Sequence, residues 1–387
     1  MQMPIRILYD DGGFRETHGG VSRYFTEMIK RLPSGFEWKS GMVGTANKYL
    51  QLPPFNLPPH KQTVHDFIRQ TLHGRSFKGV SYIYHALAKI MPEKFPSGEL
   101  ANKIEFTKIC KRGDFDILHI THPHPVERYW KRVVGKKPIV ATIHDLIPEK
   151  LLENQKVITC RKLLLNDASH VIAVSENTKR DLIDFYGVSA EKISVIYHGC
   201  NRHAQKNALR NTPDRPYILY VGKRDGYKNF KFFAKATAPI LRELDMCLYC
   251  TGSEFTEEEY AYLTLLGIVD RTIQRFVPDE EMSSLFANAF AFVYPSSYEG
   301  FGIPILDAFQ NRCPVVLSDI NCFREVAADS ALFFNMSDPE ELRSCLISLT
   351  NPDRRERFME KGLERVMNFS WDKCAVRTAK LYSQLFS

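Results

Sequence analysis

Two carboxylates eight positions apart, Glu299 and Asp307, enclose the run Gly300-Phe301-Gly302-Ile303-Pro304. They follow an apolar stretch ending in Tyr294-Pro295-Ser296-Ser297. This order predicts a strand, a tight loop and a helix. Proline suits the first helical position, where its missing N–H and fixed φ cost nothing. The glycines take turn conformations closed to other residues and let a ligand approach the backbone. The free N–H groups of Phe301, Gly302 and Ile303 then lie at a helix N-terminus, which favours phosphate. An anionic ligand with hydroxyls for two carboxylates, a nucleotide sugar, fits this set of groups.

Two other loops carry comparable chemistry. Gly19-Gly20-Val21-Ser22-Arg23-Tyr24 places paired glycines between a predicted strand and helix. Such a pair cradles phosphate, admits a sugar to the backbone, or is simply a turn. No Gly-Lys-Ser/Thr follows it, so a P-loop and nucleoside triphosphate hydrolysis are not indicated. The second loop, Gly222-Lys223-Arg224-Asp225-Gly226-Tyr227-Lys228-Asn229, packs three cations and two glycines before a predicted helix. It reads as a diphosphate clamp or as a charged surface loop. Metal signals are weak. Cys247 and Cys250 lie inside an apolar run without a second ligand pair and read as ordinary strand residues. Asp114 and Asp116 read as structural. His119, His122 and His124 read as cleft lining, with His122 the better acceptor-side candidate. No metal and no cofactor is expected.

Positioning these loops requires strands. Short β-branched runs alternate with helical patterns, which predicts βαβ units and parallel sheets. Strands are expected at 5–9, 37–43, 117–121, 139–144, 171–175 and 194–197 in the first half. In the second they are expected at 217–221, 246–251, 273–276, 291–294, 314–318 and 331–334. A chain of 387 residues exceeds one ordinary core. The fold class expected is α/β, with two Rossmann-like domains facing each other across a cleft. The polar stretch 201–215 is the expected linker. The boundaries run 1–205 for an acceptor-binding domain and 206–368 for a donor-binding domain, with a closing segment at 369–387. Strand ends converge on one crevice in such folds, so the loops above share a ligand.

Charge is uneven: residues 1–200 carry 29 Lys+Arg against 20 Asp+Glu, within an overall net charge of +7. Residues 61–112 hold ten basic and four acidic side chains, interleaved with Phe67, Phe77, Tyr82 and Tyr84. That stretch is either a solvated helical face or a patch for an anionic membrane surface or phosphorylated acceptor. No nucleic-acid motif is visible. No run approaches a membrane span, and Met1 to Arg6 shows no apolar leader, so a cytosolic protein is expected. The nine cysteines form no disulfide framework, which fits a reducing compartment. The glycine spacing around residues 12–20 does not fit the dinucleotide fingerprint of an oxidoreductase.

Together these segments resemble the family 4 retaining glycosyltransferases of GT-B fold. The resemblance rests on Gly19 to Tyr24, Thr142-Ile143-His144-Asp145, Val171 to Ser175, Ile196-Tyr197-His198-Gly199, Tyr220 to Asn229, Arg275-Phe276-Val277 with Asp279 to Met282, Glu299 to Asp307, and Pro314 to Asp319. The wording is nearest to bacterial O-antigen and surface-polysaccharide transferases, many of them mannosyltransferases. The resemblance implies that Glu299 binds sugar hydroxyls, His144 contacts the donor sugar, and Arg224 and Lys228 stabilise the leaving diphosphate. It implies that Gly19, Gly20, Gly222, Lys223, Ser297, Phe301, Gly302 and Ile303 line the sugar–phosphate site. Phe276 and Val277 would flank the base and Asp307 would grip the ribose. Asp307 departs from the family's glutamate. The segment from Phe369 on resembles a C-terminal helix that crosses back to the first domain. The implied donor is GDP-mannose or a UDP-sugar, and the implied acceptor is a lipid-linked glycan at the inner face of the membrane, with a soluble or other acceptor as the alternative. A non-catalytic nucleotide-sugar-binding protein is the alternative.

Overall fold

The computed structural model describes residues 3–59, 98–122, 134–200, 213–224 and 226–386. Most of the basic stretch 61–112, the linker core 201–212 and His124 lie outside these residues.

Among the described residues twelve strands form two six-stranded sheets. The first contains β1 (Ile5–Tyr9), β2 (Phe36–Ser40), β3 (Ile117–Ile120), β4 (Ile139–Ile143), β5 (His170–Ala173) and β6 (Ile193–Val195). Its order is β2-β1-β3-β4-β5-β6. The second contains β7 (Tyr217–Tyr220), β8 (Cys247–Thr251), β9 (Thr272–Arg275), β10 (Ala291–Tyr294), β11 (Val315–Ser318) and β12 (Leu332–Phe334), in the order β12-β11-β10-β7-β8-β9. Every pairing is parallel. Strands β3, β4, β7, β8, β10 and β11 are buried along their whole length, as parallel strands covered on both faces must be. The two expected Rossmann-like sheets are present.

The helices that matter for the site are α1 (Gly20–Ile29), α2 (Gly98–Arg112), α3 (Gln155–Asp167), α4 (Glu176–Tyr186), α5 (Phe230–Glu243), α6 (Glu257–Leu265), α7 (Asp279–Asn288), α8 (Ile303–Gln310), α9 (Asn321–Ala327), α10 (Pro339–Ser348), α11 (Pro352–Val366) and α12 (Trp371–Phe386). Helix α8 starts one residue before Pro304, because Gly302, at φ 94°, supplies the turn that begins it. Helices α3 and α9 were not expected: each packs a narrow apolar face that short-window periodicity does not resolve.

Helix α12 crosses back to the first half. Trp371, Cys374, Ala375, Leu381 and Tyr382 join the core that includes Ile7, Tyr9, Phe25 and Val140. A buried polar chain pins it: Tyr382 Oη lies 2.5 Å from His119 Nδ1 and 3.0 Å from Tyr9 Oη, and His119 Nε2 lies 2.8 Å from Thr142 Oγ1. His119 is therefore a core residue that anchors the returning helix, which corrects its reading as cleft lining. Asp114 and Asp116 are bound by Arg6 and Lys39, a structural ion cluster. Cys247 and Cys250 fall in cores on opposite faces of β8, so they cannot act as a pair.

Candidate functional site

The chain reverses direction between β1 and β3 in one sheet and between β7 and β10 in the other. Ligands of open α/β sheets bind outside the carboxyl ends of strands at such switch points. The expected loops occupy them: residues 10–20 follow β1, 221–229 follow β7, and 295–302 follow β10. The helix starts that meet there share an unusual feature. Helices α1 and α8 are both N-capped by glycine, Gly19 and Gly302, and neither cap supplies a side-chain hydrogen bond. First-turn N–H groups without a capping side chain are available to an anion. The two starts touch: a Cβ on Gly20 would lie 3.5 Å from Ile303 Cδ1.

Glu299 is 9% exposed and accepts a hydrogen bond from Lys228 Nζ, which also donates to Tyr294 Oη at 3.0 Å. Tyr294 ends β10 and Lys228 closes the loop after β7. The neighbouring switch-point strands thus deliver one ion pair. Burial first, and then the Glu299 charge, push the Tyr294 phenol well above its ordinary range, so it stays neutral. Ser297 N donates to Tyr227 O at 2.8 Å and ties the two loops together.

Arg224 takes a different place. Its Nε and Nη2 donate to Glu259 of α6 at 2.8 and 3.2 Å, and Nη2 also donates to the carbonyls of Ser253 and Glu254 at 2.8 Å. Glu259 completes a capping box with Thr256. Only Nη1 of Arg224 is buried without a partner. The expected two-cation clamp is divided: Lys228 meets Glu299, while Arg224 is largely committed to the α6 start. Lys223 is exposed and reaches Glu16 of the first half at 3.7 Å. Gly222, at φ 115°, donates its N–H to Thr251 Oγ1 at 3.3 Å.

The first sheet supplies the opposite wall. His144 follows β4, and its Nε2 is buried without a hydrogen-bond partner. Its ring packs against Tyr24 and Phe25 of α1 at 5.2 and 5.7 Å and against His198 at 5.8 Å. Burial first, then repulsion from His198, hold His144 far below the usual histidine range, so it is neutral. His198 stacks on Phe301 at 4.6 Å and on Trp371 at 6.0 Å, and burial lowers it to about 3. Phe301 faces this column and Val277 lies in the core, so both can offer a ligand only their backbone. Phe276 is 66% exposed, with its ring 6.4 Å from His18.

The halves meet closely around this site. A Cβ on Gly300 would lie 1.6 Å from His144 O, so only glycine allows the approach. Ser175 Oγ donates to Gly300 O at 2.7 Å. Glu325 of α9 accepts from the N–H groups of Glu176 and Asn177 at 2.6 and 2.9 Å, capping α4 from the other half. Asp307 binds Arg23 of α1 through two hydrogen bonds, 2.7 and 2.9 Å. Arg23 stands in the Gly19–Tyr24 run without a role that residue type alone assigns; its position one turn past the paired glycines is the available signal. The roles of Tyr294, which contacts Lys228, and of Glu259, which binds Arg224, are not legible in the sequence, because their partners lie far along the chain.

A family model described as Glycosyltransferase Family 4 matches residues 58–203, and one described as Glycosyl transferases group 1 matches 201–365. The O-antigen chain mannosyltransferase RfbU of Salmonella typhimurium is 29% identical over 246 residues, 58% of this chain and 68% of that protein. O-antigen chain mannosyltransferase B of Escherichia coli is 28% identical over 240 residues, 57% of this chain and 62% of that protein, so the match leaves more than a third of that relative uncovered. Among solved structures, HepE of Anabaena in complex with UDP and glucose superposes with a TM-score of 0.72 at 15% identity, over 98% of this chain and 100% of that one. With two facing parallel sheets, glycine-capped helix starts at both switch points and matches running from residue 58 to 365, this chain belongs to the family 4 glycosyltransferases and has the GT-B fold.

Proposed function

We propose that this glycosyltransferase moves a hexose, mannose from GDP-mannose, to a hydroxyl of a growing lipid-linked glycan, with retention at the anomeric carbon. The observation that carries this reading is the buried Lys228–Glu299 pair, which lies just before the Gly300 backbone that packs on His144 and the glycine-capped start of α8. In the reaction the bond from the anomeric carbon to the diphosphate oxygen breaks, and a bond to the acceptor oxygen forms. The acceptor's proton passes to the departing phosphate, so no separate base is required. The main demand is to stabilise the diphosphate charge. Lys228 meets it, with the N–H groups of Gly20 and Ile303 and the remaining nitrogen of Arg224. Glu299 orients the sugar hydroxyls. His144, kept neutral by burial, offers a hydrogen bond near the reacting carbon without adding charge. The nucleotide sugar is a substrate, and no step in this scheme uses a metal. The mannose assignment draws on the similarity to the two O-antigen mannosyltransferases. Peripheral attachment to a membrane through residues 61–112 belongs to the same proposal. Among the described residues no helix is long and apolar enough to cross a membrane.

Thermal shift against a panel of GDP- and UDP-sugars tests the donor, because a ligand that binds the folded state raises Tm with its affinity and concentration. The expected result is the largest shift with GDP-mannose. A larger shift with a UDP-sugar would replace the donor. Binding without transfer to any lipid-linked glycan would favour a non-catalytic binding protein.

A further inference from the structure

The structure assigns to Arg23, on the first-half helix α1, the role of positioning residue for the nucleotide bound by the second half. This inference rests on the nucleotide-sugar reading above. Asp307 lies on the second turn of α8, behind the glycine-capped start at Gly302. Both of its oxygens accept from Arg23: Oδ2 from Nη1 at 2.7 Å and Oδ1 from Nη2 at 2.9 Å. Both side chains are 23% exposed, so the pair is partly shielded yet still open to solvent. Arg23 itself is set by its helix, whose start touches α8 at Gly20 and Ile303.

Three physical consequences follow. A bidentate guanidinium fixes the plane of a carboxylate, which a single point charge does not do. Each oxygen keeps a second lone pair, so Asp307 can still accept hydrogen bonds from a neighbouring pair of hydroxyls. The positive partner also offsets the repulsion that a bare carboxylate would exert on a diphosphate held nearby. An aspartate at this position is one methylene shorter than a glutamate and has fewer rotamers of its own to search. A fixed partner from the opposite wall settles its orientation. The ribose end of the nucleotide then depends on a side chain of the first half, so nucleotide affinity is tied to the contact between α1 and α8.

The test compares native protein, Arg23→Ala, Arg23→Lys, Asp307→Asn and the double variant Arg23→Ala/Asp307→Asn. Calorimetric titration with GDP and with UDP is read alongside kcat, the donor KM and Tm. Loss of the partner that orients a ligand-binding side chain at metal sites weakens binding about 10- to 100-fold. The same range is expected for nucleotide affinity and donor KM in Arg23→Ala, with kcat changed far less. Arg23→Lys, which keeps the charge without the fork, recovers only part of the affinity. The double variant binds no more weakly than the worse single variant, because the two residues act as one unit. A lower Tm with unchanged nucleotide affinity in Arg23→Ala would overturn the assignment and leave a structural ion pair. So would full recovery by lysine or additive losses in the double variant. Failure of native protein to bind either nucleotide would instead sink the underlying donor reading.

Discussion

The two walls of the cleft solve different problems. The second-half wall is ionic: Lys228 with Glu299, Arg224 with Glu259, and Arg275 with Glu281 each pair a cation with a carboxylate. The first-half wall is a neutral column of rings, Tyr24, His144, His198 and Trp371, that continues into Phe301. Its histidine nitrogens lack protein partners: Nε2 of His144 and both nitrogens of His198 are buried without a hydrogen bond. In the proposed reading the ionic wall serves the leaving diphosphate and, through Glu299, the sugar hydroxyls, while the neutral rings line the opposite side. An ionic wall can stabilise a leaving group, whereas a neutral wall can exclude water without trapping the sugar.

The largest effect should come from breaking the ionic wall at its centre. Lys228→Ala should lower kcat about 10²- to 10³-fold, the cost of removing one donor from a charge-stabilising site. Glu299→Ala should fall in the same range. The double variant should lose little more than the worse single variant, since the two residues form one unit. Steady-state kinetics with the donor identified by thermal shift measures this. If each loss were below tenfold, the ion pair would be a structural feature of the loop.

Within the ionic wall, Arg224 and Lys228 should separate. They lie four positions apart on one loop, yet the Arg224 side chain is 4% exposed and bound to Glu259 and two carbonyls. Removing one partner of a buried ion pair costs about 3–5 kcal/mol of stability. Arg224→Ala should therefore destabilise the fold by about 3 kcal/mol in urea denaturation. Glu259→Gln should do so by less, because it retains an acceptor. A variant of native stability whose kcat nonetheless fell like that of Lys228→Ala would return Arg224 to the diphosphate clamp as an equal partner.

This division also marks what was legible in the sequence. The strand-loop-helix order around Glu299 could be read from residue types alone, because glycine and proline restrict the backbone locally. Both sheets were legible for a different reason: buried parallel strands are continuous apolar runs. Partnerships across the chain were not. Nothing local tells that Asp307 meets Arg23, that Glu259 withdraws Arg224, or that His119 faces Tyr382 of the last helix. Those contacts depend on how the two sheets and the returning helix are set against one another. His119 was misread because a strand-end histidine near two others suggests a site, while its place in the first sheet faces α12.

The smallest effect per residue, and the one that separates the walls by solvent condition alone, is the pH dependence of stability. Burial holds His119 and His198 at about 3 in the folded state. The unfolded value is about 6.5. Below about pH 6.5 the unfolded chain takes up these protons while the folded chain does not, so stability falls as pH falls. Each histidine contributes a slope of about 1.4 kcal/mol per pH unit, which levels off near pH 3. Between pH 6.5 and pH 5 the loss is about 2 kcal/mol per histidine. The ionic wall behaves differently in this window. Burial opposes ionisation of Glu259, but its bond to Arg224 outweighs that and holds it below the ordinary carboxylate range, so it contributes no loss above pH 5. Urea denaturation at pH 7 and pH 5 should therefore show a loss that His119→Gln reduces by about 2 kcal/mol, whereas Glu259→Gln leaves it unchanged. An unaltered pH difference in His119→Gln would mean that the acid sensitivity arises outside the neutral wall and its anchor.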